Sequence, residues 1–250
     1  MIDISFEERV AILRLDHGPV NALDGELLAA LVEALDEIER SRSAAAVITG
    51  TGAAFSAGAD LIRLMNEGFG YIEDAGPHAG RAFERMFTIP LPMVAAINGH
   101  AIAGGCVLAL ACDHRVSQEG DHRMGLAELK VGVPFPTWAL ETVRYAIAQP
   151  HLQRLLYSGR LAKPEEALSL GLIDEIVPPD ELVNAALDAA RRLASIPAAT
   201  FALTKKALRG PFADRARSTT SFDEEGAAIW SSQETRDSVQ RFIDRTIGGR

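Results

Sequence analysis

The sequence has few of the features that would let a protein bind nucleic acid, cross a membrane or depend on disulfides. Its 250 residues include two cysteines, Cys106 and Cys112, whose spacing fits neither a disulfide framework nor a metal site. It has no run of 18 apolar residues, which a membrane-spanning helix would need. The formal charge is −9, and no basic run exceeds two residues, whereas nucleic acids and anionic membranes bind clustered Lys and Arg. We therefore expect no nucleic-acid and no membrane partner.

Signals for metal binding, serine catalysis and export are also lacking. The six histidines are scattered without an H-x-x-x-H pair, and no G-x-S-x-G elbow occurs, so we expect no metal site. The amino-terminal segment alternates like a strand and carries Glu7, Glu8 and Arg9 where a secretory peptide would be apolar. Since the cysteines are expected to be buried thiols, the predicted location is cytoplasmic.

What remains is the composition of a globular protein with a large core. Hydrophobic residues make up 48% of the chain and charged residues 24%. Alternating or short apolar runs predict strands, and apolar residues at helical spacing predict helices. The predicted strands are 2–6, 10–15, 44–49, 93–97, 113–117 and 172–177. The predicted helices are 24–40, 104–111, 137–148, 152–157, 164–170, 180–195, 198–208 and one after 218.

The order of these elements predicts the fold class. Strands alternate with helices before Pro136, and helices dominate after it, which indicates an α/β protein with a curved βαβ core and a helical appendage. The Gly-rich segment 68–80 is predicted to be a mobile surface loop that leads into a helix ending at Thr88.

Two stretches of small residues could expose their backbone to a ligand. Segment 50–60 (GTGAAFSAGAD) follows a strand, and its N–H groups suit an anion or oxyanion, although an ordinary strand-to-helix loop has the same composition. In segment 98–106 (NGHAIAGGC), Gly104 and Gly105 open a helix whose amino terminus would stabilise a developing negative charge. Close packing explains these two glycines equally well.

A third stretch, 124–136 (MGLAELKVGVPFP), places Glu128 among apolar neighbours. Burial would raise the pKa of this carboxyl group toward the range that is useful for a general base. The alternative is an ordinary solvated glutamate.

Taken together and in order, these stretches resemble the crotonase family, also called the enoyl-CoA hydratase/isomerase superfamily. The resemblance covers essentially the whole chain and rests on six motifs. They are 15–23 (LDHGPVNAL), 55–61 (FSAGADL), 98–106 (NGHAIAGGC), Cys112 and Asp113 followed by Glu128, 171–177 (GLIDEIV) after Glu165 and Ala167, and 205–208 (KKAL).

The resemblance implies an α/β fold: a crotonase-like spiral of ββα units over residues 1–195 and a helical C-terminal trimerisation region over 196–250. It also implies an acyl-CoA thioester substrate and a homotrimer or a dimer of trimers. No metal or redox cofactor is implied, since coenzyme A enters as part of the substrate.

The resemblance also implies roles for individual residues. The backbone N–H groups of Ala59 and Gly104 would form an oxyanion hole for the thioester oxygen, with Glu128 as the catalytic carboxylate. The expected substrate contacts are Ala57 at the adenine, Asp60 and Leu61 near the nucleotide, Val20 and Ala22 along the CoA chain, and also Val107, Pro134 and Phe135.

Three departures from the family pattern bear on the reaction. Val107 stands where family hydratases carry a first glutamate, and it can neither activate water nor deliver a proton. Ile62 replaces a lysine found near the CoA phosphates in many relatives, for which Arg63 could substitute. The segment 133–136 (VPFP) replaces a Gly-rich turn of hydratases, which indicates a reshaped acyl pocket.

The favoured hypothesis is therefore a 3-enoyl-CoA to 2-enoyl-CoA isomerase that uses Glu128 alone. The first alternative is a hydratase with a non-standard second acid, for which the candidates are Glu119, Asp121 and Glu141. The second is a family member that binds without catalysing a reaction. The sequence leaves the acyl chain length and the pathway open.

Overall fold

The computed structural model of the protein describes residues 1–246, apart from the side chains at positions 69, 72, 73 and 220. Its strands form two sheets. The larger sheet has the order β1-β2-β3-β5-β7-β10 and is parallel except for the pair β1 and β2. Its strands are β1 (Ile2–Glu7), β2 (Val10–Leu15), β3 (Ala45–Gly50), β5 (Met93–Ile97), β7 (His114–Gln118) and β10 (Glu175–Val177). The smaller sheet contains β4 (Ala54–Ser56), β6 (His100–Ile102), β8 (Met124–Gly125) and β9 (Leu161–Ala162).

The helices surround these sheets and dominate the carboxyl-terminal half. They are α1 (Gly25–Arg40), α2 (Leu61–Glu67), α3 (Phe69–Thr88), α4 (Gly104–Ala111), α5 (Glu128–Val131), α6 (Thr137–Ala146), α7 (Gln149–Ser158), α8 (Pro164–Ser169), α9 (Leu182–Ala194), α10 (Ala198–Ser218), α11 (Thr220–Trp230) and α12 (Gln233–Thr246). Within residues 1–246, no helix combines the length and the apolar character that a bilayer crossing requires.

The core lies on both faces of the larger sheet. Strands β3 and β5 are buried along their whole length, as expected for parallel strands covered on both sides. Helix α9 packs on one face, and α1, α3, α4 and α6 enclose the other. Helix α1 begins where predicted, because the Asp24 carboxylate accepts the Leu27 N–H at 2.8 Å. The predicted α/β class is confirmed.

The Gly-rich segment 68–80 is not the loop that its composition predicted, because α3 (Phe69–Thr88) runs through it. This helix contains Pro77, which removes one backbone hydrogen bond. Its apolar face overrides that cost, since Tyr71, Phe83 and Met86 are buried against the rest of the protein.

The other predicted elements are confirmed with shifted boundaries. The helix predicted at 198–208 continues to Ser218, and the strand predicted at 172–177 is shortened to β10. The single helix predicted after 218 is two helices, α11 and α12. The four short strands of the smaller sheet were not predicted. Residues 247–250 of the predicted C-terminal region lie outside the described residues.

A buried polar cluster attaches α10 to the core. The Asp113 carboxylate accepts hydrogen bonds from Lys205 Nζ and Arg209 Nη2, both at 2.7 Å. Both cations also donate to backbone carbonyls, and both are more than nine-tenths buried. Burial lowers the pKa of Lys205 to about 8.

We expect Asp113→Ala to destabilise the protein by about 3–5 kcal/mol, because it leaves two buried cations without their shared anion. The measurement is the free energy of unfolding from chemical denaturation. The control is Lys206→Ala on the exposed side of the same helix, which should change stability by less than about 0.5 kcal/mol. A loss below about 1 kcal/mol in Asp113→Ala would contradict the assigned role.

Candidate active site

A cavity of about 1300 Å³ brings together most of the predicted site residues. Its wall is built from the loop after β4, the start of α4, helix α5, the segment after α5, and faces of α3 and α11. The predicted residues that line it are Ala57, Ala59, Leu61, Gly104, Glu128, Pro134 and Phe135.

The loop after β4 is pressed against the start of α4 by glycines that leave no room for a side chain. A Cβ atom on Gly105 would lie 2.2 Å from the backbone oxygen of Ser56. One on Gly58, whose φ is +80°, would lie 2.7 Å from the Ile102 oxygen and 3.1 Å from the Gly104 nitrogen. Only glycine permits this backbone contact. The glycines are therefore required for close packing, and this does not exclude that the same loop exposes its backbone to a ligand.

The buried Asn21 holds the other side of this loop. Its backbone is left-handed, with φ 50°, which asparagine tolerates better than most residues. Its side chain donates to the carbonyl oxygens of Thr51 and Ala54, and its own carbonyl accepts from Ser56 Oγ at 2.7 Å. The motif 15–23 therefore supports the loop that carries Ala57 and Ala59.

The N–H groups of Gly104 and Ala59 are both directed away from internal partners. Gly104 is the first residue of α4, so its N–H has no acceptor within the helix. Ala59 forms a parallel bridge with Leu23 in which the Leu23 N–H bonds to the Gly58 oxygen, so the Ala59 N–H points to the opposite side. Both residues line the cavity.

The turn into α4 is strained. Ala103 has φ 52° and ψ −123°, a conformation that residues with a side chain rarely adopt. It is held there because its N–H donates to the Gly125 oxygen and its own oxygen accepts the Val107 N–H. This turn directs the start of α4 at the cavity.

Glu128 is the first residue of α5 and lies in the same cavity wall. Its side chain is buried, and Oε2 has no hydrogen-bond partner among the described residues. Burial raises the pKa of this carboxyl group to about 8. The prediction of a buried glutamate is confirmed, and a carboxyl group with this pKa can take up and release a proton near neutral pH.

Four predicted contact residues do not line the cavity. Val107 is fully buried in the core, so its side chain packs there and not against the cavity. Val20 is exposed and Ala22 is half-buried. Asp60 caps α2 by accepting the Arg63 N–H at 2.8 Å.

The Arg63 guanidinium is engaged by acidic side chains. It donates to Glu26 at 2.6 Å and to Glu67 at 2.7 Å, and it lies 3.3 Å from the carboxylate of Asp24. Many relatives carry a lysine at the position of Ile62. For Arg63 to bind a CoA phosphate in place of that lysine, its guanidinium would have to exchange these acidic partners for the phosphate.

The three acids considered as second groups are not in the cavity wall. Asp121 pairs with Lys163, and the buried Glu141 pairs with Arg144 and Arg215; Glu119 also lies outside the wall.

The wall instead contains Glu84, Asp223 and Glu224, which sequence reasoning missed. Glu84 pairs with Arg217, and Asp223 accepts two hydrogen bonds from Thr137. Glu224 lies on the exposed helix α11. Only the packing of α3 and α11 brings these acids to the cavity.

Comparisons with known proteins agree on one family. The sequence model of the enoyl-CoA hydratase/isomerase family matches residues 5–247. The human mitochondrial enoyl-CoA delta isomerase 1 is 30% identical over 240 residues, which is 94% of this chain and 80% of that protein. The short-chain-enoyl-CoA hydratase of Clostridium acetobutylicum is 28% identical over 243 residues, 96% of this chain and 93% of that protein. The crystal structure of human mitochondrial delta3-delta2-enoyl-CoA isomerase superposes with a TM-score of 0.92 at 29% identity and covers 98% of this chain and 97% of that one.

Proposed function

Because the chain belongs to the enoyl-CoA hydratase/isomerase family, we propose that it is an isomerase that converts 3-enoyl-CoA to 2-enoyl-CoA. Its fold is the expected α/β crotonase fold with a helical C-terminal region. The observation that carries the proposal is the cavity in which Glu128, the buried carboxyl group with the raised pKa, lies in one wall with Ala59 and Gly104.

The proposed reaction needs one base and one oxyanion site. The Glu128 carboxylate removes a proton from C2 of the 3-enoyl thioester, and the N–H groups of Ala59 and Gly104 stabilise the negative oxygen of the dienolate. The protonated Glu128 then returns the proton at C4, so the double bond moves to C2 and no proton is gained or lost. One oxyanion donor contributes about 2.7–4 kcal/mol in comparable enzymes.

The remaining expected contacts stay part of the proposal. Coenzyme A would lie along Val20, Ala22, Ala57, Asp60 and Leu61, and it enters as part of the substrate; the proposed reaction uses no metal and no redox cofactor. The acyl group would meet the segment that contains Pro134 and Phe135, both of which line the cavity.

Assembly and location are proposed on separate grounds. Apolar side chains are exposed on the C-terminal helices, among them Leu203 and Ile229, and a homotrimer or dimer of trimers would cover such surface. Both cysteines are buried and free, as is typical of a reducing cytoplasm.

The proposal is tested with purified protein on 3-hexenoyl-CoA and crotonyl-CoA in parallel, by following the absorbance of the conjugated enoyl thioester. We expect the first substrate to gain conjugation and the second to remain intact. Hydration of crotonyl-CoA that disappears in Glu224→Gln would contradict the proposal, because it would identify Glu224 as the second acid of a hydratase.

The pH dependence of isomerisation should follow the ionisation of Glu128. A base must be deprotonated to accept a proton, and burial raises the pKa of Glu128 to about 8. We therefore expect kcat/KM to rise about tenfold per pH unit from pH 6 to 7 and to level off above pH 8. A profile that is already flat at pH 6 would show that the reacting group has an ordinary carboxyl pKa.

A further inference from the structure

The cavity extends well beyond the catalytic groups along α3. Among the residues of α3 that line it, one group recurs at helical spacing on one face of the helix: Ala75, Gly76, Ala79, Gly80, Phe83 and Glu84. The cavity also touches Tyr71, Pro77, Arg81, Arg85 and Thr88 of the same helix. From Ala75 to Glu84 this face spans about 14 Å at 1.5 Å per residue. The cavity as a whole is about 1300 Å³, above the roughly 300–1000 Å³ of common ligand pockets.

The glycines on this face have no packing or backbone role. A Cβ atom on Gly76 or on Gly80 would meet nothing within 4 Å, and neither glycine has a positive φ. Glycine inside a helix is about 1 kcal/mol less favourable than alanine, and here no contact requires it. What these two glycines provide is empty volume in the cavity wall.

The opposite wall also contains small residues. Helix α11 contributes Gly226, Ala227 and Ala228, and the nearest atom to a Cβ on Gly226 would be Pro134 Cγ at 3.9 Å. Most of the residues around the volume between the two helices are apolar, among them Phe135 and Trp138, and Glu84, Asp223 and Glu224 are the acids that border it. Such a space accepts a hydrocarbon better than a polar group.

A second observation indicates that a ligand occupies this space. Glu128 is more than nine-tenths buried, lines the same cavity, and has an Oε2 atom without a partner among the described residues. An unpartnered buried carboxyl group beside an apolar channel fits a substrate that presents its reacting carbons to Glu128 and extends its tail along α3.

We propose that the cavity between α3 and α11 selects substrates with long acyl chains, of about ten to twelve carbons, and that Gly76 and Gly80 determine this specificity. The inference rests on the proposed function for the acyl-CoA substrate. The length follows from the helix face: three bonds of an extended chain span about 3.3–3.6 Å, so 14 Å accommodates about twelve bonds.

The test is the affinity of the protein for saturated hexanoyl-CoA and decanoyl-CoA, measured by calorimetry, because saturated thioesters bind without reacting. Each buried methylene contributes about fourfold in affinity. We expect the wild type to bind decanoyl-CoA at least 30-fold more tightly than hexanoyl-CoA. We expect Gly76→Leu and Gly80→Leu each to reduce that ratio at least tenfold.

Gly70→Leu is the matched control, since Gly70 lies in the same helix, has open space around its Cβ position and is outside the cavity wall. It should keep both the ratio and the activity of the wild type. All three variants replace glycine in a helix with a better helix former, so their melting temperatures report whether they fold.

A wild-type ratio below 30-fold, or leucine variants that keep the wild-type ratio, would overturn the proposal. The binding test and the proposed isomerase function can fail independently. If this protein binds decanoyl-CoA preferentially but does not isomerise 3-enoyl-CoA, the long-chain site is supported and the assigned reaction is wrong.

Discussion

Replacing Glu128 by Gln is expected to slow the isomerisation of 3-hexenoyl-CoA at least about 1000-fold. General acid–base catalysis contributes about 10²–10⁴-fold, and in the proposed reaction one carboxyl group both removes and returns the proton. Gln keeps the size of the side chain, and it leaves the N–H groups of Ala59 and Gly104 in place. The initial rate of absorbance gain, at a substrate concentration well above KM, measures the effect.

The same substitution is expected to stabilise the protein at high pH. Unfolded glutamate has a pKa near 4.5, whereas burial raises that of Glu128 to about 8. Between these values the folded protein holds a proton that the unfolded chain has released, so wild-type stability falls as pH rises. Gln does not titrate, and its advantage should grow from near zero below pH 4.5 to about 3–5 kcal/mol above pH 8.

Glu141→Gln is the matched control for Glu128→Gln. Glu141 is also buried, but it pairs with Arg144 and Arg215 and lies outside the cavity wall. Its substitution should lower stability and leave the catalytic rate close to that of the wild type. If Glu128→Gln kept more than a tenth of the wild-type rate, Glu128 would not be the base. If the free energy of unfolding of Glu128→Gln at pH 8 were no higher than that of the wild type, burial of the ionised Glu128 would not destabilise the protein as we expect.

The long elements of the fold could be predicted because their patterns are local. Strands β2, β3 and β5 are uninterrupted or alternating apolar runs, and α1 combines an Asp cap with apolar residues at helical spacing. Strands β4, β6, β8 and β9 have two or three residues each and no pattern of their own. They exist because neighbouring chain segments supply their hydrogen-bond partners, which sequence alone does not show.

The features of the candidate site also differ in whether local sequence predicts them. The apolar surroundings of Glu128 and the small residues around Gly104 are local features, so they could be found in the sequence. The extent of the cavity depends on α3, and its Gly and Pro content indicated a loop. The packing of Phe83 and Met86 outweighs that composition, and the glycines that suggested a loop lie in a helix and line the cavity wall instead.

Gly58→Ala is expected to lower kcat about 10²–10³-fold with little change in binding of the ground state. The new Cβ atom would lie 2.7 Å from the Ile102 oxygen, and this oxygen belongs to the backbone and cannot rotate away. The loop after β4 must then move away from the start of α4. In the proposed reaction the N–H groups of Ala59 and Gly104 act on one oxygen, so displacing either amounts to losing an oxyanion donor, which costs about 2.7–4 kcal/mol.

Gly52→Ala separates this effect from backbone strain. Gly52 also has a positive φ, +68°, but its nearest neighbour to a Cβ would be the Pro19 oxygen at 3.8 Å. Both substitutions incur the strain of a left-handed residue, about 1 kcal/mol or more, and should lower the melting temperature. Only Gly58→Ala also separates the two donors, so only it should lower kcat. Equal losses of kcat in the two variants would mean that strain, and not the contact of the loop with α4, explains the effect, and the oxyanion site would then have to lie elsewhere.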